Sequence, residues 1–582
     1  MGQPQTWRQR RIRFMHRVHA RRAARANTAT AFVSAPEPHT IGQVARGRQL
    51  IAGNFLFSGL LVEGSQFSIW DIARDNPTVS EEIQGCEWLD DLAAVGDDRA
   101  RDRAQAWVFE WITRYGDGRS DGWTPGITGR RLIRWINHGF FLLRGQDKAA
   151  GQLFFQSLAR QTLFLSKRWQ ATSPGLRRFE ALTGTIYAGL SLEGMEHHIP
   201  SAVAALGSDC QSQIDADGAI KTRNPEELLE ILSLLNWTAK ALTETGHDVP
   251  APVKDAIARI APTLRALRHA DGGLARFHGG GQGLEGRLDQ ALALSGVRGG
   301  PAKGLHMGFA RLTAGRTTLI ADAAAPPSGD ASADGHASTL GFELTSGRRP
   351  LIVNCGSGAR FGGEWRRASR ATPSHSTMML EGVSSSHLAP SAPSSQSEEL
   401  LTELPSLVRG YTIEDTQGRR LEMSQNGYQP SHGLTHARIL HVSADGRTVD
   451  GEDILTTLDA ADNAIFDTAL ANAGPIGILY AARFHLHPDV EATLDMGATA
   501  VAMRLKSGEV WVFRHDGQAK LSLSASVYLQ NGRLRPRTSQ QVVLSGSAMA
   551  YATRVRWSLA NAPATPTAVR DLVQAAPMDD ID

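Results

Sequence analysis

The chain has 582 residues, 41% of them hydrophobic and 21% charged, which fits a folded globular protein and excludes a fully disordered, collagen-like or coiled-coil chain. At roughly 150 residues per domain that length predicts two to four domains. Lys and Arg number 61 against 59 Asp and Glu, a net charge of +2 that is too balanced for a dedicated nucleic-acid binder.

Residues 1–39 read as a basic arm, disordered or a frayed helix. The stretch WRQRRIRFMHRVHARRAARA carries eight Arg and no acid. It lacks the apolar segment of a signal peptide. Trp7, Ile12, Phe14, Met15 and Val18 would form a loose apolar cluster on a helix, so peripheral contact with an anionic membrane is one expectation for this arm.

Residues 40–300 are helical in pattern. DRAQAWVFEWITRYG, TGRRLIRWINHGFFLLRG, GQLFFQSLARQTLFLSKRW and LRRFEALTGTIYAGLSLEGM repeat apolar residues at three-to-four spacing. NPEELLEILSLLNWTAKALTETG has a complete start and stop: Asn224 as N-cap, Pro225 at the first helical position, Glu227 three residues after the cap, and Gly246 beyond the end. Many such helices on short loops predict an α/α toroid or helical solenoid. Near residue 300 the period changes to that of strands. Ala444-Asp445-Gly446, Ser507-Gly508, Asp516-Gly517 and Asn531-Gly532 are hairpin signals, and residues 301–560 read as an antiparallel β-sandwich. Segments 323–335 and 387–399 read as mobile loops, and 561–582 as a disordered tail. The fold class is therefore α+β multidomain, a toroid followed by a sandwich. No run of about 18 apolar residues predicts a transmembrane helix.

Chemistry-bearing residues concentrate in the strands. His336 and His375 open two of them. Tyr428, His432 and His436 lie in NGYQPSHGLTHAR, and His485 and His487 share one strand face in RFHLHP, a spacing that suits a metal pair. In the helices, Trp123 can stack on a sugar ring, while Arg130, Arg131 and Arg134 offer forks for carboxylate or sulfate. The glycines of HADGGLARFHGGGQG follow a helix rather than a strand, which argues against a phosphate cradle. Cys86, Cys210 and Cys355 are odd in number, widely spaced and without a C-x-x-C, so neither a disulfide framework nor a cysteine zinc site is expected.

WTPGITGRRLIRWI, DADGAIKTRNPEELLE, RHADGGLARFHGGGQG, DGHASTLGFELTSGRRPLIVNCGSG, EWRRASRATPSHSTMMLEG and RFHLHPDV together resemble the heparinase II/III-like polysaccharide lyases, over roughly residues 45–560. The resemblance implies a toroid and a sandwich flanking a substrate groove, and β-elimination on an acidic, uronate-containing polysaccharide. In that reaction a Tyr or His moves the proton alpha to the carboxylate, and a neighbouring cation or amide neutralises the developing charge. Position by position, the family's catalytic tyrosine falls at or next to Glu227. Its Asn-His pair falls near Leu176 and Arg177, its first sandwich histidine at Asp334, and the following acid at Ser338. The resemblance therefore leaves His375, Tyr428 and His336 as the catalytic candidates and Trp123, Arg131 and Arg223 for substrate binding. His336, Asn354 and His375 stand where some members hold zinc. No cofactor is assured, zinc or calcium being the candidates. Family resemblance implies the periplasm or cell envelope, and the missing signal peptide implies the cytoplasm. The alternative to a lyase is a catalytically degenerate glycan-binding or interaction protein on the same fold.

Overall fold

The computed structural model describes residues 7–23, 29–64, 67–72, 76–300, 303–380, 382–389 and 399–562. The tail predicted to be disordered, from residue 563 onward, and most of the loop expected at 387–399 lie outside these residues.

Thirteen helices form the N-terminal half of the described chain. They are α1 (Trp7–Ala23), α2 (Val44–Ala52), α3 (Pro77–Gln84), α4 (Trp88–Val95), α5 (Asp98–Tyr115), α6 (Pro125–Asn137), α7 (Gly139–Leu143), α8 (Lys148–Arg168), α9 (Leu176–Ser191), α10 (Ile199–Gln213), α11 (Pro225–Glu244), α12 (Ala251–Ala266) and α13 (Arg287–Leu294). A small hairpin, β1 (Asn54–Phe57) with β2 (Leu60–Glu63), sits between α2 and α3. Local chemistry sets the helix starts. Asn76, Asp97, Asp147 and Asn224 each accept backbone N–H bonds from the first turn of their helix. The core is aromatic: Trp88, Trp107, Trp111 and Trp135 are buried with Phe154 and Phe164.

Within the basic arm, residues 7–23 form the helix α1, which packs on α8. His16, Ala20 and Ala23 form its buried face. The His16 ring meets Phe164 of α8 edge-on at 5.6 Å, and Arg168 Nε donates to His16 Nδ1 at 3.1 Å. The small Ala20 and Ala23 let the helix approach closely, and Ala20 lies against Gly118.

From residue 309 the chain is mainly strand: β3 (Phe309–Ala314), β4 (Thr317–Asp322), β5 (Phe342–Ser346), β6 (Arg349–Val353), β7 (Met378–Leu380), β8 (His387–Leu388), β9 (Leu401–Thr402), β10 (Val408–Glu414), β11 (Gly418–Tyr428), β12 (Leu434–Ser443), β13 (Thr448–Thr456), β14 (Ile478–Leu486), β15 (Glu491–Asp495), β16 (Ala500–Arg504), β17 (Val510–His515), β18 (Lys520–Tyr528), β19 (Arg537–Ala548) and β20 (Ala552–Asn561). Three helices interrupt them: α14 (Gly363–Arg370), α15 (Gln429–His432) and α16 (Ala460–Ala473). One sheet runs β10-β11-β12-β13-β20-β17-β16-β15, and the second β18-β19-β14-β6-β5-β4-β3 with β7 paired to β14. Both are antiparallel, and their inner faces share one apolar core around Phe342, Phe484, Phe513 and Trp557.

Three of the four turn signals close hairpins: β12-β13, β16-β17 and β18-β19. Asp516-Gly517 does not. It carries the chain from β17 to β18, which belong to different sheets. Segment 323–335, expected to be mobile, is pinned: Arg370 donates to the carbonyls of Ser332 and Gly335, and Arg366 to that of Ala333.

Candidate functional site

A groove of about 2870 Å³ runs between the helices and the second sheet. Its helical wall is an ion-pair lattice. Arg130 pairs with Glu180 at 2.8 Å and Arg134 with Asp90 at 2.9 Å. Arg46 bridges Glu82 and Asp91, and Arg287 pairs with Glu230. These arginines are already neutralised, so they hold the wall together rather than offer open forks to an anion. The lattice separates its carboxylates. Burial would raise Glu87, but Arg134 and Arg130 outweigh it and hold the carboxyl at about 2. Burial pushes Glu230 up to about 7 and Asp91 to about 6.

At the junction with the sandwich, the positions that the family resemblance singles out do meet. Glu227 accepts from the Thr222 hydroxyl at 2.7 Å and from the backbone N–H of Leu176, and burial raises its pKa. Glu226 accepts from Gly281 N–H, and Asp334 pairs with Arg366. Glu226, Glu227 and Asp334 all line the groove. Where elimination needs a base and a neutralising cation, this chain presents three carboxylates.

Of the residues proposed from sequence, Arg130 and Arg134 line that groove, whereas His336, His375, Tyr428, Trp123, Arg131, Arg223 and Asn354 do not. Trp123 is buried, tilted against Trp111 with ring centroids 5.9 Å apart, and its indole N–H donates to Tyr115 O. Arg131 is fully buried. It donates to Gln161 and to the carbonyls of Gln84 and Gly122, with its guanidinium 4.0 Å from the Trp111 ring centroid. Arg223, held at φ 51°, pairs with Asp322 at 2.6 Å and donates to the carbonyls of Met307, Gly308, Ala324 and Ala325, tying the start of α11 to the sandwich. Tyr428 is buried with its hydroxyl donated to Met378 O, and burial raises its pKa. These four side chains are structural.

The histidines do converge, but behind the groove wall. The His336 and His375 ring centroids lie 5.1 Å apart, with His278 6.5 Å from His336. His278 Nε2 is 3.4 Å from Asp322 Oδ2. Burial drives His375 down to about 3 and His336 well below the usual value, so both are neutral. Neither ring nitrogen of His375 has a hydrogen-bond partner among the described residues. The donor set does not fit zinc. Asn354 brings no charge, and its Oδ1 already accepts from Ser376 N–H. No group of three or more His, Cys, Asp or Glu among the described residues is arranged to hold a metal ion. His485 and His487 also go separate ways, the first bonding Ser526 and Pro373 O, the second packing on Tyr528.

Sequence reading missed His278, because RFHGGGQG reads as a glycine loop, and missed the acidic half of the wall lattice. Asp90, Glu180 and Glu230 are each ordinary amphipathic-helix residues when viewed alone.

The class follows from comparison with known proteins. Residues 297–558 match the family model described as heparinase II/III-like, C-terminal, so this chain carries a heparinase II/III-like C-terminal domain. Among solved structures, heparinase III superposes with a TM-score of 0.65 at 11% identity, covering 94% of this chain and 89% of that one. A mutant heparan sulfate lyase from Pedobacter heparinus gives 0.56 at 13% identity, covering 94% and 88%. At such identities the likeness is one of fold. A curated relative, FtsZ-localized protein C of Caulobacter vibrioides, is 28% identical over 528 residues, which span 89% of this chain and 88% of the relative.

Proposed function

We propose that this chain is a binding protein built on a lyase fold, and that its partner is an FtsZ filament at the cytoplasmic face of the membrane. One observation carries the first half: the groove junction presents Glu226, Glu227 and Asp334, while His336, His375 and Tyr428 are sealed behind it. A uronate brought there meets the carboxylates of Glu226 and Glu227, while Asp334 is already paired with Arg366. At Glu227, Leu176, Arg177 and Asp334, where the resemblance places the family's tyrosine, Asn-His pair and first sandwich histidine, no Tyr or His stands to take the proton. The relative's localisation to FtsZ supports the second half.

The arm fits such a role. On α1, Trp7 and Phe14 are exposed together with Arg10, Arg11, Arg13, Arg17, Arg21 and Arg22, a basic and aromatic face suited to anionic lipid.

Two measurements test the reading. Incubation with a panel of uronate polysaccharides is expected to give no ultraviolet absorbance from a new double bond conjugated to a carboxylate. Sedimentation with GTP-assembled FtsZ from the same cell is expected to carry the protein into the pellet. A rising absorbance would restore the second reading, an acidic-polysaccharide lyase, which the fold favours.

A further inference from the structure

The end of the sandwich formed by the β13–α16, α16–β14 and β19–β20 connections exposes large apolar side chains. Leu458 is 62% exposed, Ile476 64%, Met549 53% and Tyr551 45%. They belong to one surface. Thr457 N–H donates to Tyr551 O at 2.9 Å, which sets Leu458 beside Tyr551. Met549 lies over Gly477, where a Cβ would come within 2.2 Å of its sulfur, next to Ile476. The Tyr551 ring packs edge-on against Phe466 of α16 at 5.5 Å, with its hydroxyl on Asp467. Between them α16 presents exposed alanines, so the surface has few protrusions. Monomeric proteins rarely leave such a patch unused.

Its charge is one-sided. In a chain with 61 Lys and Arg, residues 457–480 contain none, while Asp459 and Asp467 are exposed among them and Asp462 is buried beneath. The last turn of α16 has no basic residue to offset the partial negative charge of its carbonyl end, and Ile476 sits just beyond it. Arg554, three residues past Tyr551, is paired with Glu452 at 2.7 Å. An apolar surface rimmed by acid complements a segment whose apolar side chains are flanked by Lys or Arg.

We propose that this patch, not the groove, is where the chain docks its filament partner, by gripping an apolar segment flanked by basic residues. The inference rests on the filament-binding reading above. Sedimentation with GTP-assembled FtsZ tests both. Ile476→Lys and Met549→Lys each replace an exposed apolar contact with a charge that repels a basic segment, and each is expected to weaken co-pelleting by about tenfold or more. Met549→Leu is expected to pellet like the parent chain. Unchanged melting temperatures would show that the variants fold. If the parent chain pellets and both lysine variants pellet equally well, the patch is not the contact and the inference falls alone. Arg535 lines the groove; if Arg535→Glu abolishes pelleting while the patch variants do not, the groove is the contact. If the parent chain itself stays in the supernatant, the filament reading fails and takes this inference with it.

Discussion

Arg223 shows how a single residue can be read for chemistry and serve structure. Its guanidinium is spent on Asp322 and four carbonyls. Burial would raise Asp322, but Arg223 and His278 outweigh it and hold the carboxylate far below its usual range. Removing the arginine leaves a buried anion with little compensation, a change that costs about 3–5 kcal/mol in comparable pairs. Arg223→Ala is therefore expected to lower the denaturant midpoint sharply. Arg223→Lys should restore little, because an ammonium cannot span five acceptors from one fork. A midpoint within experimental error of the parent would remove Arg223 from the interdomain clamp. The same logic explains Arg131 and Trp123. Of the thirteen residues of α6 only Arg130 is not buried, so a helix that reads as one-sided in sequence is packed on every side. Sequence shows that an arginine is present; only the neighbours show whether its fork is taken.

At the scale of elements, legibility follows the locality of the signal. The start of α11 is readable because its cap is local: Asn224 Oδ1 accepts from Glu226 and Glu227 N–H, as the Asn-Pro-x-Glu spacing predicts. Glu227 does not complete the expected capping box in the hydrogen bonds observed; it turns to Thr222 and Leu176 instead. Asn224→Ala is expected to cost about 1 kcal/mol, read as a lowered thermal midpoint, with Asn224→Asp close to the parent. An alanine variant as stable as the parent would mean that the helix start is held from elsewhere. Docking of α1 was not readable, because the stripe His16, Ala20, Ala23 is neither large nor apolar enough to register beside Trp7 and Phe14, which face solvent. The β17–β18 crossover failed for a related reason. An Asp-Gly turn specifies a reversal of the chain but not whether the next strand stays in the same sheet.

For the molecule as a whole, the buried histidines predict how stability depends on pH. Burial lowers His16 and His485 to about 4 and His375 and His487 to about 3, and also lowers His278, His336 and His436. Each is neutral in the folded chain but takes a proton near pH 6.5 once unfolded. Between roughly pH 6.5 and 4 the unfolded state therefore binds more protons, and stability falls as pH falls, by up to about 1.4 kcal/mol per pH unit for each group. Glu230, Asp91 and Glu227 act in the opposite direction, since their raised values let the folded chain keep protons that the unfolded chain has lost. Burial raises Asp209 as well, and lowers His198 to about 4, so the lowered histidines still outnumber the raised carboxylates and dominate. Asp322, Asp453 and Glu343, held low by their arginine and histidine partners against the raising effect of burial, add their own loss only below about pH 4. Thermal melts should thus change little between pH 8 and 7 and drop steadily from pH 6.5 to 4.5. His375→Asn should flatten that slope by about one proton, whatever it does to stability at pH 8. A melting temperature that holds or rises as pH falls from 6.5 to 5 would mean that these rings find protons, or partners to share them, in the folded state.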